Sequence, residues 1–244
     1  MKPLSTRRLR LPVLLIVGCG DVGLRVLKML KGRWRVLTLT SSPQRIGSLR
    51  AAGATPLLGD LDEPATLGRL GGLAEVVLHL APPPSRGEHD SRTRHLLRAL
   101  ERGGRVRRLV YASTSGVYGD CGGARFDETR APQPATDRAR RRVDAEQQLR
   151  AYGRRAGVTV SLLRIPGIYA SDREGGHPRE RLQRGTPLLR VEDDVYTNHI
   201  HADDLARACV AALHHARPQR ALHVCDDSEL RMGEYFDLAA DICG

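Results

Sequence analysis

Short apolar runs alternate with amphipathic stretches along the first half of the chain. PVLLIV at 12–17, RVLTLT at 35–40, TPLL at 55–58, AEVVLHLA at 74–81 and VRRLVYAS at 106–113 are bounded by Gly, Pro or charged residues, a pattern that predicts strands buried on both faces. Between them, residues 21–31, 43–52 and 88–102 carry apolar side chains at helical spacing, and Gly103-Gly104 closes the last of these as a C-terminal cap. Such alternation predicts βαβ units on a parallel sheet, with ligands at the carboxyl ends of the strands.

The second half is less regular. Residues 114–133 are turn-rich. A helix then runs to about Ala156, with Ala145, Leu149, Tyr152 and Ala156 recurring as a buried stripe. A strand at 158–164 leads into a Gly/Pro/Arg-rich section reaching about Arg190, followed by an extended piece at 196–200, a helix at 202–214, a strand at 221–225 and a last helix from Met232. The expected fold class is α/β: a Rossmann-type doubly wound parallel sheet over 1–165, with a small C-terminal lobe over 166–244 intertwined with it as one structural unit.

Composition narrows the function classes. A chain of 244 residues builds a core without staples, and its five scattered cysteines, lacking a C-x-x-C pair or histidines at ligand spacing, suggest neither disulfides nor a metal site. A reducing, cytoplasmic setting is the expectation. Arg7, Arg8 and Arg10 before LPVLLIV imitate a secretory leader, but the run stops at Asp21, and no stretch reaches the length of a membrane span. The net charge of +11 comes almost wholly from dispersed arginine, lysine occurring only at Lys2, Lys28 and Lys31. With aromatics at 4%, dispersed charge argues against nucleic acid as the partner.

GCGDVG at 18–23 fits G-x-G-x-x-G directly after a strand and at the start of a helix. Gly18 permits the turn, Gly20 a close approach of pyrophosphate, and Gly23 close helix packing, with Asp21 and Val22 opening a helix whose N-terminus attracts anions. At the end of the second strand an NAD-preferring site carries Asp or Glu. Here Ser41, Ser42 and Arg45 stand instead, a set suited to the 2′-phosphate of NADP, although Ser-Ser-Pro also suits a helix cap. Asp60, followed by Leu61, is placed to accept from an adenine amino group or to cap a helix.

These residues, with YASTSGVYGD at 111–120, LLRIPGIYA at 162–170 and NHIHADDLARA at 198–208, resemble the extended short-chain dehydrogenase/reductases, the group that includes NAD-dependent epimerases and dehydratases. GCGDVG, GDLDEP, HLAPPP and TDRARRRVDAE together resemble an atypical branch of it, from about Val13 to Asp241. The resemblance implies a catalytic Thr114 four residues before Tyr118, and a turn at Ala81-Pro82-Pro83 beneath the cofactor. It also implies a nicotinamide wall at Ile165, Pro166 and Gly167, substrate contacts from Asn198 and His199, and structural roles for His201 and Asp204. It implies further helical sequence after Gly244 as well, so that the substrate lobe is C-terminally shortened.

One departure is large. The family's catalytic helix carries Tyr-x-x-x-Lys, and a frame set by Pro134 and Glu146 puts Arg138 and Arg142 in those places. Arginine cannot serve as a base. One turn apart, Arg138 and Arg142 can clamp an anion or stabilise an oxyanion; alternatively the helix is a solvated surface with Arg142 paired to Glu146. A proton donor must then come from elsewhere, Tyr118 first, with Asp137, Asp90, His89 and His199 behind it. The expected function is an NADP(H)-dependent oxidoreductase or epimerase/dehydratase-like enzyme acting on a small anionic substrate. The alternative is a catalytically silent NADP(H)-binding sensor or scaffold. No metal or membrane is implied, and a homodimer is left open.

Overall fold

The structure is a computed structural model describing residues 11–173, 175–185, 187–215 and 217–243. Arg7, Arg8 and Arg10 of the leader-like segment, and Gly244, lie outside the described residues. Strands β1 (Val13–Val17), β2 (Arg35–Thr40), β3 (Thr55–Leu58), β4 (Val76–His79), β5 (Arg108–Thr114), β6 (Thr159–Ile165) and β9 (Arg220–His223) form a seven-stranded sheet in the order β3-β2-β1-β4-β5-β6-β9, every pairing parallel. The order reverses between β1 and β4, which makes the carboxyl ends of those strands the place where a ligand fits. The expected Rossmann-type fold class is the one observed.

Alternation along β1 shows why the strands read as apolar runs. Leu15 and Val17 enter a core with Leu96, Leu100 and Leu149, while Leu14 and Ile16 enter another with Val26, Leu30 and Leu205. The first core lies under α3 (Ser91–Glu101) and α4 (Asp137–Ala156), the second under α1 (Asp21–Leu30), α2 (Arg45–Ala51) and α6 (Ala202–His215). Each fully buried leucine contributes roughly 1.5–3 kcal/mol. β3 departs from the expectation of burial: it is the sheet edge, with Thr55 and Leu58 exposed.

Helix α4 carries most of its predicted stripe, with Ala145, Leu149 and Tyr152 buried. Ala156 is exposed, because the helix ends there and the chain turns through Gly157 at φ 65°. Thr136 caps its N-terminus, accepting from the Ala139 amide at 3.2 Å. The residues after 166 divide between two bodies. α6 and β9 complete the main sheet domain, whereas β7 (Gly167–Tyr169), β8 (His199–His201), α5 (Pro178–Gln183) and α7 (Met232–Cys243) make the small lobe. β7 and α5 fall in stretches with no strand or helix periodicity; β7 forms by pairing with β8, a non-local contact.

Candidate functional site

The glycine loop connects β1 to α1. Gly18 adopts φ +86°, and a Cβ there would lie 2.5 Å from the Ala81 amide nitrogen. The first glycine therefore does more than turn the chain: it lets the loop press on the end of β4, where buried Ala81 and exposed Pro82 stand. Gly20 faces open space and is the N-cap of α1, with no side chain capping the helix. The amides of that first turn are thus free of a side-chain cap, as an anion-binding helix N-terminus requires. A Cβ at Gly23 would meet the Cys19 sulfur at 3.2 Å, Val22 sits against the core, and Asp21 is held by Arg25 at 3.0 Å and Arg173 at 2.6 Å.

A cavity of about 210 Å³ continues from the loop to the ends of β2 and β3, lined in part by Gly18, Ser41, Arg45, Asp60, Leu61 and Arg92. Arg45 reaches back across it to donate to the Cys19 carbonyl at 2.6 Å. Ser41 faces the cavity. Ser42 turns away from it, its amide donating to Thr40 Oγ1 and its hydroxyl to Gln44. Asp60 lines the cavity and accepts from the Asp62 amide at 2.9 Å, so it braces a turn; the next helical segment starts only at Pro64. Arg92 of α3, which sequence reasoning missed, forks onto Asp62 at 2.8 and 2.6 Å and neutralises that carboxylate beside the cavity.

Beyond the ends of β5, β6 and β9 a cleft of about 780 Å³ opens, bordered by Ser115, Tyr118, Arg164, Pro166, Asn198 and His223. Thr114 stands at the end of β5 and accepts from the Gly116 amide at 3.2 Å, a turn contact that leaves its proton available. Pro166 and Asn198 reach the cleft as expected. His199 does not: it stacks on Tyr235 at 4.0 Å between ring centroids, and a Cβ at Gly167 would meet it at 2.9 Å. His201 accepts from the Asp203 amide at the start of α6, and Asp204 pairs with Arg207, both in structural roles.

The predicted arginine clamp is not assembled. Arg138 is exposed in the first turn of α4, while Arg142 turns inward, donating to Tyr111 Oη at 2.9 Å and to the Ala112 carbonyl at 2.7 Å. Arg142 is not paired with Glu146 either. Glu146 is buried and accepts from Arg164 at 2.8 and 3.2 Å and from the Ser113 hydroxyl at 2.6 Å. The other proton-donor candidates are structural: Asp90 caps α3, exposed His89 pairs with Asp144, and Asp137 pairs with Arg140.

Tyr118 is only 3% exposed, and its hydroxyl lies 2.6 Å from both Arg164 Nη1 and His223 Nε2. Burial holds its proton on more tightly than usual, against the pull of Arg164. The cleft also holds Asp120, Asp226, Asp227 and Glu229, whereas its two arginines are already engaged, Arg125 with Glu229 and Arg164 with Glu146. Sequence reasoning missed Arg164, Glu146 and His223. The available signal was charge inside apolar runs: Arg164 interrupts LLRI, and Glu146 lies beside the stripe of α4. Among the described residues no group of acids, histidines and cysteines is arranged to hold a metal, and no helix is long and apolar enough to cross a membrane.

A doubly wound sheet, an uncapped glycine loop at its switch point and an adjoining cavity of about 210 Å³ are the features of a dinucleotide-binding Rossmann protein. More narrowly, the chain belongs to the NAD-dependent epimerase/dehydratase family, whose model matches residues 14–225. Among solved structures, it is similar to a functionally unknown conserved protein from Silicibacter pomeroyi, at 28% identity and TM-score 0.76 over 96% of this chain and 79% of that one. It shares the fold of DesIV, a dTDP-glucose 4,6-dehydratase from Streptomyces venezuelae, at 23% identity and TM-score 0.78 over 97% and 81%. A match to the uncharacterized protein y4nG of Sinorhizobium fredii, 30% identical over 111 residues, takes in 44% of this chain and only 28% of that protein.

Proposed function

We propose that this protein is an NADP(H)-dependent oxidoreductase or epimerase/dehydratase-like enzyme of the short-chain dehydrogenase/reductase superfamily, acting on a small molecule in the cleft beyond β5, β6 and β9. The observation that carries the reading is the uncapped glycine loop at the switch point of the sheet, opening on a cavity lined by Ser41, Arg45 and Asp60, with a second cleft at the carboxyl ends of β5, β6 and β9. The residues fit a dinucleotide. Gly18, Gly20 and Gly23, with the first turn of α1 from Asp21 and Val22, would hold the pyrophosphate. Asp60 and Leu61 would flank the adenine, Ala81 and Pro82 would pass beneath, and Pro166 and Gly167 would wall the nicotinamide. When bound, that ring supplies the hydride chemistry.

NADP(H) is favoured over NAD(H) because no carboxylate ends β2, where Ser41 and Arg45 stand, and because Arg92 already neutralises Asp62. Ser42 contributes its turn rather than its hydroxyl, which donates to the Gln44 side chain. Thr114 and Tyr118 are the hydroxyls assigned to the reacting oxygen, with Asn198 beside the substrate. Arg142 braces β5 from the place of the family's lysine, and Arg138 stays exposed to solvent. The small substrate is better read as neutral or cationic than as anionic, since the carboxylates of the cleft outnumber arginines that are already paired. The proposed setting is the cytoplasm, a reading supported by the scattered, unpaired Cys19, Cys121, Cys209 and Cys225.

Calorimetric titration with NADPH and NADH tests the reading. NADPH is expected to bind about 10- to 100-fold more tightly, the equivalent of one charge-assisted contact to a phosphate. Equal affinities would remove the NADP assignment, and no binding of either would remove the function. Tight binding without turnover of any carbonyl compound would leave the cofactor sensor, the reading that the engaged state of Arg142 otherwise favours.

A further inference from the structure

We propose that Tyr118 and His223 form a proton-transfer pair that replaces the family's missing Tyr-x-x-x-Lys, with Tyr118 as the catalytic acid and His223 as the positioning residue that reloads it. The inference rests on the enzyme reading above. Arg164 can only donate, so its N–H enters the Tyr118 oxygen. His223 Nε2 takes another direction around that oxygen at 2.6 Å. When Nε2 carries a proton, the phenol oxygen accepts from two donors and its own proton is directed elsewhere. All three side chains border the cleft at the carboxyl ends of β5, β6 and β9, where doubly wound sheets bind ligands.

The arrangement is held from behind. Glu146 fixes Arg164, Ser113 fixes Glu146, and the Glu128 carboxylate accepts from the His223 backbone amide at 2.8 Å. The rings of Tyr118, Phe126 and His223 pack edge to face, which locks the angle of the phenol. This supplies the two services of the missing lysine from another direction: Arg164 provides a fixed positive charge that stabilises phenolate, and His223 provides an exchangeable proton.

In a carbonyl reduction with a reduced nicotinamide as hydride donor, the new C–H bond takes the hydride and the carbonyl π electrons move to oxygen. Tyr118 gives that oxygen its proton, forming O–H, and becomes phenolate beside Arg164. His223 returns a proton to the phenolate from Nε2 and recovers one from water. In the oxidative direction each transfer is reversed.

The groups facing His223 are Tyr118, Arg164, Glu128 and Asp127. Burial holds the imidazole below the ordinary histidine value, Arg164 acts in the same direction, and the two carboxylates oppose them. Reloading Tyr118 needs the proton on His223, so kcat falls as pH rises through that depressed value.

The experiment begins on the cofactor-free protein, following the His223 ring by NMR titration. It is expected to titrate below about 6.5 and to move when Tyr118→Phe removes the hydroxyl. An unmoved titration overturns the pair whatever the enzyme does. NADPH binding and reduction of 9,10-phenanthrenequinone and methylglyoxal are then compared. Tyr118→Phe should lose about 100-fold in kcat, and His223→Gln about 10-fold together with the pH dependence, both keeping NADPH affinity within about twofold. The wild-type pH profile is the independent measurement should His223→Gln fold poorly. Retention of kcat within about threefold in Tyr118→Phe overturns the pair and leaves the enzyme reading standing. Tight NADPH binding by wild type with neither compound reduced overturns both.

Discussion

Removing one member of the Glu146–Arg164 pair should cost more stability than any other single surface or site change considered for this protein. Both side chains are almost inaccessible, at 4% and 3% exposure, and they meet through Nε–Oε1 and Nη2–Oε2 contacts of 3.2 and 2.8 Å. Glu146→Leu leaves a guanidinium with an unmatched charge under the sheet, and Arg164→Met leaves the carboxylate so. Breaking a buried pair from one side typically costs about 3–5 kcal/mol, a large share of the ~5–15 kcal/mol by which proteins of ordinary stability stay folded. With urea slopes of about 1–3 kcal/mol per molar, each variant should lose at least ~1 M from its unfolding midpoint. The double variant places two apolar chains where the charges were, and should recover at least ~2 kcal/mol relative to the sum of the singles. Ser113→Ala removes one bond to the same carboxylate and should cost about 1.5–3 kcal/mol. Urea unfolding followed by circular dichroism reads all four. Single losses under about 1 kcal/mol that add without coupling would show that the pair is solvated, and the argument for a rigid backing to Tyr118 would fail with it.

Other consequences follow from the same geometry. His79 is completely buried beside Thr93 and is pressed down to about 3, chiefly by burial. Its neutral form is the native one, so its contribution to stability is full above about pH 6.5 and is lost as pH falls toward 3. The protein should lose about 2 kcal/mol between pH 7 and 5 that His79→Asn does not lose, measured by urea midpoints at the two pH values. Gly18→Ala should abolish cofactor binding and destabilise the fold, because its Cβ would overlap the Ala81 backbone at 2.5 Å; unchanged calorimetric affinity would contradict the close approach. Arg45→Ala should weaken NADPH by about 10- to 100-fold and NADH by little, compared by titration. Arg142→Lys should restore the family residue without restoring its partner, leaving kcat unchanged within about threefold while the bonds to Tyr111 and Ala112 are weakened.

The sheet was legible because its information is local. β1, β2 and β5 are bounded by turn residues and buried on both faces, so a continuous apolar run carries the whole signal. The glycine loop was legible for the same reason: one hexapeptide between a strand and a helix contains the turn, the open approach and the packing contact. β7 and α5 lacked that advantage. β7 is three residues long and exists through its register with His199, Ile200 and His201, residues some thirty places onward.

The chemistry of the cleft was hidden by a different kind of distance. The tyrosine–lysine frame is local to one helix, so its alignment with Arg138 and Arg142, and the choice of Tyr118 as first proton donor, come from sequence alone, whereas the partners of Tyr118 do not. The proposed pair and its arginine come from three strands: Tyr118 follows β5, Arg164 lies on β6 and His223 ends β9. Only the parallel register of β5, β6 and β9 brings them together, pairing Ser113 with Arg164 and Arg164 with His223. That register also explains why Arg164 is tolerated in an apolar strand: its neighbours on both sides carry polar groups, and Glu146 descends from α4 to meet it. Helix α4 anchors, through Glu146, the charge that holds the Tyr118 hydroxyl. In the proposed pair the proton chemistry sits at the ends of β5, β6 and β9, and α4 supports it from behind through Glu146.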